Sequence, residues 1–278
     1  MVKPQQRYAT DLAQIRRASE LINSKIHRTP VLTCTYLNAL TGLNLFFKCE
    51  PFQKVGAFKI RGATYAIECL TEAERKRGVV THSSGNHAQA LALAAHNAGV
   101  EAHIVMPTNS PKVKKKAVIE YGANVYDCEP TLEARETTAN GLVQKLGAVM
   151  IPPYNDKRVI TGQGTLGLEL YHQVPDLDVV MIPIGGGGLC AGSTLALREL
   201  DQNIKVIGVE PKGADDAYRS REASQFIPQT NPQTVADGLR TSMGDLTWPV
   251  IRDIVADVHT VSEASILIAM RLIWIRMK

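Results

Sequence analysis

A single lysine, Lys59, stands in a stretch of sequence that suits covalent chemistry. It lies between Phe58 and Ile60 and is followed by Arg61 and a glycine. Apolar neighbours lower the pKa of an amine, and an amine must lose its proton before it can attack a carbonyl. We therefore predict that Lys59 carries an aldehyde cofactor as a Schiff base.

A polar loop, Ser83-Ser84-Gly85-Asn86-His87, joins a predicted strand over 78–82 to a predicted helix over 86–98. Free N–H groups and the positive end of a helix dipole make such a junction an anion site. A substrate carboxylate would fit there, with the Ser84 hydroxyl and the Asn86 amide exposed to it. An ordinary helix N-cap is the alternative, and spacing alone does not separate the two. The combination of two serines, a glycine and an asparagine favours the binding site.

Four glycines, Gly185, Gly186, Gly187 and Gly188, lie between a predicted strand over 179–184 and a helix that ends near Leu200. Their backbone can approach a phosphate closely and donate several N–H bonds. The pattern is neither a Walker A loop nor a dinucleotide fingerprint. A flexible turn is the alternative, but four glycines cost conformational entropy, so we favour phosphate binding.

An acidic loop, Glu210-Pro-Lys-Gly-Ala-Asp215-Asp216, follows a predicted strand over 204–209. Its three carboxylates could hold a hard cation through oxygen ligands. The alternative is an exposed loop with helix-capping aspartates. From spacing alone the capping interpretation is the better one.

Short apolar strands alternate with helices along most of the chain, and this pattern indicates parallel sheets covered on both faces. Strands are predicted near 44–50, 78–82, 102–106, 124–127, 148–151, 179–184 and 204–209, with helices over 8–25, 61–69 and between the later strands. The segment Pro152-Pro-Tyr-Asn-Asp156 breaks the alternation. We expect an α/β fold of two domains, with a small domain over 78–151 and a large domain over 1–77 and 152–278.

Composition excludes several classes of protein. The net charge of +4, from 31 basic and 27 acidic residues, is too small to indicate nucleic acid binding. We find no secretory signal and no apolar run near the roughly 20 residues that span a bilayer. The five cysteines include no C-x-x-C pair, so we expect reduced cysteines in a cytoplasmic protein and no zinc site.

Four motifs together resemble the fold type II (tryptophan synthase beta-like) pyridoxal-phosphate enzymes, in the serine racemase and serine/threonine dehydratase branch. They are Gly56-Ala-Phe-Lys-Ile-Arg-Gly-Ala63, Thr81-His-Ser-Ser-Gly-Asn-His87, Thr161-Gly-Gln-Gly-Thr165 and Pro183-Ile-Gly-Gly-Gly-Gly188. The similarity covers essentially the whole chain. It implies a racemase that interconverts L- and D-serine and also dehydrates serine to pyruvate and ammonia. A threonine or hydroxyaspartate dehydratase is the alternative within the same family.

The resemblance also assigns roles to residues. Lys59 is the Schiff-base lysine and the base on one face of the cofactor, and Ser84 is the acid/base on the opposite face. Racemisation requires two such groups because a proton leaves one face and returns on the other. The cofactor is held by Phe58, Asn86 and the segment Gly185, Gly186, Gly187, Gly188 and Leu189. The substrate carboxylate is held by Ser83, Ser84, Gly85, Asn86 and His87, with Arg135 from the small domain.

Two further sites follow from the resemblance alone. Glu210, Asp216 and the Ala214 carbonyl match a magnesium or calcium site, which reverses the preference for capping that spacing gives. Lys54, Gln89, Lys114 and Tyr121 match positions that bind a nucleotide such as ATP as an effector. The resemblance also implies a homodimer.

The C-terminal part departs from the family pattern. Family members continue beyond the position of Lys278 with a further strand, a helix and a Ser-Gly-Gly segment whose serine bonds the pyridine nitrogen. No residue of this sequence takes that role, so we expect a large domain without its C-terminal part, a frayed last helix and an exposed sheet edge. An inactive subunit that modulates a full-length partner, and a nucleotide-binding module based on the glycines alone, are alternatives from other classes.

Overall fold

The computed structural model describes residues 8–277, whose helices and strands alternate along most of their length. The helices are α1 Leu12–Ile22, α2 Thr35–Thr41, α3 Lys59–Glu68, α4 Glu72–Arg77, α5 Asn86–Asn97, α6 Lys112–Glu120, α7 Leu132–Leu146, α8 Lys157–Gln173, α9 Gly188–Leu200, α10 Asp216–Glu222, α11 Trp248–Asp253 and α12 Glu263–Met277. The strands are β1 Val31–Leu32, β2 Phe47–Lys48, β3 Val79–His82, β4 Ala102–Pro107, β5 Asn124–Cys128, β6 Val149–Met150, β7 Val179–Pro183, β8 Lys205–Pro211 and β9 Asp257–Val261. Short 3₁₀ turns occupy Glu50–Phe52, Lys54–Gly56 and Asp237–Leu239.

A four-stranded parallel sheet, in the order β5-β4-β3-β6, lies within residues 79–150. Consecutive residues of β3 point to opposite faces: Val79 packs in the cluster that contains the alanines of α5, and Val80 packs in the cluster that contains Ala139 of α7. Every residue of β4 is buried. A parallel sheet with helices on both faces explains why its strands are apolar runs.

A second parallel sheet, in the order β7-β8-β9, lies within residues 179–261. Helices α8 and α9 pack closely on each other, and α1 and α3 pack on α8. A short antiparallel pair, β1 and β2, precedes α3. The predicted α/β fold with two mainly parallel sheets is confirmed. The two sheets lie on opposite sides of residue 151 in the chain, and the domain division at 78–151 stays a prediction.

Two boundaries near the predicted site differ from expectation. Helix α3 begins at Lys59 itself rather than near Arg61, so the lysine stands on a helix and not in a loop. Helix α4 was not predicted, although Thr71 and Glu74 form a capping box that marks its start.

Helix α12 is regular as far as Met277, so the expectation of a frayed helix is wrong. None of its described residues is buried, and Trp274 is 80% exposed. Strands β7 and β9 are the outer strands of their sheet, as the expected exposed edge requires. Among residues 8–277, no helix is long and apolar enough to cross a membrane.

Close packing of two glycines brings α3 onto α8. A Cβ atom on Gly162 would lie 2.6 Å from the Cα atom of Gly62, and a Cβ atom on Gly62 would lie 2.5 Å from the side-chain nitrogen of Gln163. The Gly62 N–H donates to the Gln163 side-chain oxygen at 3.1 Å. Any side chain at either glycine would push the helices apart. This contact therefore sets how closely the first turn of α3, which carries Lys59, approaches α8.

A buried ion network holds the same turn of α3. Arg61 is fully buried, and its guanidinium donates to both carboxylate oxygens of Glu50, at 2.9 and 2.7 Å, and to Glu169 at 2.9 Å. Lys48 pairs with Glu169 from the opposite side. Two cations and two carboxylates therefore balance each other, and the fork geometry of arginine fixes their directions.

Replacing Arg61 by methionine should lower the free energy of unfolding by about 3–5 kcal/mol, because the buried carboxylate of Glu50 loses its partner and Glu169 keeps only Lys48. The measurement is urea denaturation of Arg61→Met beside wild type. Lys76→Met is the matched control, since Lys76 and Glu72 form an i,i+4 pair with both side chains at least 75% exposed. The control should change the unfolding free energy by less than about 0.5 kcal/mol. Equal effects of the two substitutions would contradict the structural role of Arg61.

Candidate active site

Lys59 is the first residue of α3, and its amine points into protein rather than into water. Its Nζ donates a hydrogen bond to the Pro153 carbonyl at 2.6 Å. The ring centroids of Phe58 and Tyr154 lie 5.3 and 6.0 Å from Nζ. Burial lowers the pKa of Lys59 from 10.5 to about 8. The prediction that apolar surroundings lower the pKa of this amine is therefore supported by the geometry.

The glycine loop, residues 185–188, is buried and follows β7 directly. A Cβ atom on Gly186 would lie 2.2 Å from the ring of Tyr154, and one on Gly185 would lie 3.0 Å from the Cα atom of Leu239. Gly187 has φ +83°, in the left-handed region. These contacts exclude side chains from the loop, which leaves its N–H groups and the start of α9 as a cradle that fits a phosphate. Leu189, the second residue of α9, is half-buried beside it.

The serine loop, residues 83–87, connects β3 to α5 as predicted. Ser83 and Ser84 are half-buried, Gly85 precedes the helix, and Asn86 opens it with an exposed side chain. The Ser83 hydroxyl accepts a bond from the Gly85 N–H at 3.4 Å. The N–H groups in the first turn of α5 therefore lie beside the serine loop, at the end of β3, where a carboxylate can bind.

His87 belongs to the same loop but differs from the other members because it is only 2% exposed. Its Nε2 lies 2.9 Å from the Ile151 carbonyl oxygen. Burial, followed by the nearby charge of Lys59, lowers the pKa of His87 to about 3. Because His87 contacts the Ile151 carbonyl and Lys59 contacts the Pro153 carbonyl two residues later, the serine loop and Lys59 lie at one site.

Arg135, on α7, lies near the end of β3, where its charge acts on His82. The residue is half-buried, yet its Nε atom is buried and has no hydrogen-bond partner among the described residues. A buried N–H of a guanidinium without an acceptor is costly. An anionic ligand in the cleft would supply that acceptor.

The acidic loop was interpreted from spacing as exposed with capping aspartates, and this is wrong for Glu210 and Asp216, which are buried, while the N-cap Asp215 makes no side-chain cap bond to α10. Glu210, at the end of β8, is fully buried and accepts the N–H groups of Ala217 and Tyr218 at 3.1 and 2.9 Å. Asp216, 1% exposed, accepts the Met243 N–H at 2.8 Å. Burial raises the pKa of Glu210 to about 8 and also raises that of Asp216.

Ala214 lies buried in the turn between these two acids. Among residues 8–277 there is no cluster of three or more His, Cys, Asp or Glu side chains arranged to hold a metal ion. The predicted site supplies two carboxylates and a backbone carbonyl, and two neighbouring buried acids whose pKa values are raised by burial fit a bound cation.

Two of the residues expected to bind a nucleotide have partners within the chain. Lys54 Nζ donates to the Lys25 carbonyl at 2.5 Å, and Lys114 Nζ pairs with Asp237 at 2.7 Å. Gln89 and Tyr121 are half-buried, on α5 and at the end of α6. The nucleotide site stays a prediction.

The sequence analysis did not identify two residues that lie next to the amine of Lys59. Pro153 and Tyr154 stand in the segment that was interpreted only as a break between sheets. The aromatic residue directly after two prolines was the available signal, since such a rigid segment presents its side chain in a fixed direction.

Three comparisons place the chain among known proteins. A family model described as "Pyridoxal-phosphate dependent enzyme" matches residues 22–278. The chain belongs to this family. It is 50% identical to a serine racemase of Arabidopsis thaliana over 96% of this chain and 81% of that protein. It is 49% identical to a beta-hydroxyaspartate dehydratase of Paracoccus denitrificans over 92% of this chain and 82% of that protein.

The solved structure of maize serine racemase superimposes with a TM-score of 0.95 at 47% identity, over 96% of this chain and 81% of that chain. At this identity the likeness extends from the fold to the sequence motifs. The resemblance that the four motifs indicate is confirmed at the level of the family.

The lowered pKa of Lys59 predicts how fast the apoprotein captures pyridoxal phosphate at different pH. With a pKa of about 8, roughly a tenth of the amine is neutral at pH 7 and nine tenths at pH 9. The rate of attachment, followed by absorbance, should rise about tenfold between these pH values and then level off. Nα-acetyl-lysine, with an ordinary amine, should continue to gain rate up to pH 10. A protein rate that rises in parallel with this control would contradict a lowered pKa.

Proposed function

We propose that this chain is a pyridoxal-phosphate-dependent serine racemase that interconverts L- and D-serine and also dehydrates serine to pyruvate and ammonia. The observation that carries the proposal is the amine of Lys59, which lies between the rings of Phe58 and Tyr154 and bonds the Pro153 carbonyl, two residues from the carbonyl that His87 of the serine loop contacts. The relatives named serine racemase, at 46–50% identity over nearly the whole chain, support the choice of substrate.

The residues present fit the cofactor. Lys59 would carry its aldehyde, the glycine loop and Leu189 would hold its phosphate, and Phe58 and Asn86 would contact its ring. When bound, the cofactor supplies an electron sink for the charge that develops at the substrate Cα atom. The protein supplies orientation, exclusion of water and the acid and base groups.

Two groups on opposite faces move the proton. Lys59 Nζ removes or returns the Cα proton on one face, and the Ser84 hydroxyl does so on the other. Racemisation needs both groups, since the proton leaves one face and returns on the other. Dehydration needs removal of the Cα proton and loss of the β-hydroxyl as water. The resulting enamine is then hydrolysed to pyruvate and ammonia.

The substrate carboxylate would bind the N–H groups at the start of α5, with Ser83, Ser84, Gly85 and Asn86 around it, while the His87 side chain bonds the Ile151 carbonyl. Arg135 would hold a second anionic group from the other side of β3. This arrangement aligns the Cα–H bond between Lys59 and Ser84, which is the positioning that such a reaction needs.

Further ligands and partners belong to the same proposal. Glu210, Asp216 and the Ala214 carbonyl would bind Mg²⁺ or Ca²⁺, supported by the burial of two adjacent carboxylates. A nucleotide such as ATP would bind at Lys54, Gln89, Lys114 and Tyr121. We also propose a homodimer in the cytoplasm, on the family resemblance alone.

Dehydration of β-hydroxyaspartate is a second candidate activity. The observation that favours it is the buried Arg135 Nε, which has no acceptor among the described residues. A dicarboxylic substrate would bring a second carboxylate to that side of the cleft. The relative with this activity in its name is nearly as similar as the racemases.

Reduction with borohydride followed by peptide mapping tests the attachment site. The pyridoxyl label should appear on Lys59 and should be absent from Lys59→Ala. Lys115→Met, which alters another half-buried lysine that pairs with Asp127, should leave the label in place. A label on any other lysine would overturn the assignment of Lys59.

Replacing Ser84 by alanine should separate the two reactions. We expect D-serine formation from L-serine to fall at least 100-fold, because one of the two opposed acid/base groups is lost. Pyruvate formation from L-serine should stay within a few-fold of wild type. Chiral chromatography and a lactate dehydrogenase assay measure the two products.

Ser24→Ala, an exposed serine far from the loop, is the control and should change neither product. Absence of D-serine from the wild-type protein would eliminate the racemase proposal. Faster formation of oxaloacetate and ammonia from β-hydroxyaspartate, followed with malate dehydrogenase, than of pyruvate from serine would select the second candidate.

A further inference from the structure

One short segment, residues 151–156, touches most of the elements that build the site, and we call it the strap. It joins the end of β6 to the start of α8 and so connects the two sheets. The strap carries the carbonyl that accepts the bond from Lys59 and the carbonyl that faces His87. The strap therefore contacts both Lys59 and the serine loop.

The partners of His87 fix which of its nitrogens carries the proton. A carbonyl oxygen only accepts, so the contact between Nε2 and the Ile151 carbonyl at 2.9 Å requires a proton on Nε2. The other nitrogen, Nδ1, is buried and has no partner among the described residues. With its pKa lowered to about 3, the imidazole is neutral, so Nδ1 is a bare acceptor. His87 thus makes one directed bond, and that bond goes to the strap.

The strap is stiff between its two carbonyl contacts. Residues 152 and 153 are both proline, which fixes their φ angles. The Ile151 N–H is anchored to the Val80 carbonyl of β3 at 2.8 Å. The fixed φ angles of the two prolines reduce the ways in which the Ile151 and Pro153 carbonyls can move independently.

The far end of the strap is anchored as well. The ring of Tyr154 lies against Gly186 of the glycine loop. The Asn155 side chain donates to Asp245 at 2.6 Å and accepts the Leu246 N–H at 3.1 Å. Asp156 caps α8 through the N–H groups of Arg158 and Val159. These contacts hold the far end of the strap in place. The hydrogen bond from His87 to Ile151 then limits how the strap can move near Lys59.

We propose that His87 is a positioning residue for Lys59. Its Nε2–H holds the Ile151 carbonyl, and the two prolines carry that constraint to the Pro153 carbonyl, which directs the amine of Lys59 into the cleft. This role rests on the proposed function only in taking Lys59 as the residue that carries the cofactor. It differs from the role expected from the motif, in which His87 belongs to the group around the substrate carboxylate.

The test compares His87→Gln with His87→Asn. The glutamine amide reaches the position of Nε2 and can donate to Ile151, whereas the asparagine amide reaches only the position of Nδ1. We expect His87→Asn to slow attachment of pyridoxal phosphate to the apoprotein about tenfold, the effect of losing one oriented hydrogen bond. Its kcat for serine should fall similarly, and its KM should change less than about twofold. His87→Gln should stay within about threefold of wild type in every measurement.

Other outcomes would overturn the proposal. A raised KM with normal cofactor attachment in both variants would make His87 a substrate ligand, and equal rates for Asn and Gln would remove the role of the hydrogen bond. Attachment of pyridoxal phosphate needs no turnover, so a wild type that binds the cofactor without racemising serine leaves the test intact while the proposed function fails.

A measurement on the wild-type protein guards against variants that do not fold. In protein labelled with ¹⁵N-histidine, one imidazole should show a protonated Nε2 and an unprotonated Nδ1, unchanged down to pH 5. That signal should be absent from His87→Gln. A protonated Nδ1 on this ring would exclude the bond to Ile151 and with it the proposal.

Discussion

The bidentate pair between Arg61 and Glu50, buried beneath the first turn of α3, is the interaction on which the site depends. Arg61 lies only two positions after Lys59, so a guanidinium held in a fixed direction also holds the start of the helix. Glu169 extends this constraint to α8, against which the glycines of the two helices touch. A reactive amine needs such support because its own desolvation works against the fold.

Two pairs of acidic residues offset the cost of desolvating a carboxylate in different ways. Glu50 and Glu169 lie opposite Arg61 and Lys48, and the four charges cancel. Glu210 and Asp216 accept backbone N–H groups and lie beside each other, and burial raises the pKa of both carboxyl groups. Neutralisation of the second pair by a proton or a cation is the physical requirement behind the proposed metal site.

Local patterns predicted much of the fold correctly. Strands such as β4 and β8 are apolar runs bounded by turns, and helices with clear caps follow them, so the α/β order is visible without a structure. The chemical character of Lys59 was also visible, because its neighbours along the chain are apolar. The start of α3 was placed two residues late, since the packing on α8 that fixes it involves residues a hundred positions away. The burial of Glu210 was missed from spacing for the same reason.

The sequence by itself determined which groups are available: an amine among apolar residues, a glycine loop that no side chain can fill, and a serine loop at a helix start. These properties depend on residue type and near neighbours, which the chain order fixes. Only the tertiary structure decided that His87 faces the strap rather than the cleft, that Pro153 accepts the bond from Lys59, and that Tyr154 lies on Gly186. Each of these contacts joins residues that lie far apart in the chain. Their geometry depends on how the elements pack, and no local pattern encodes that.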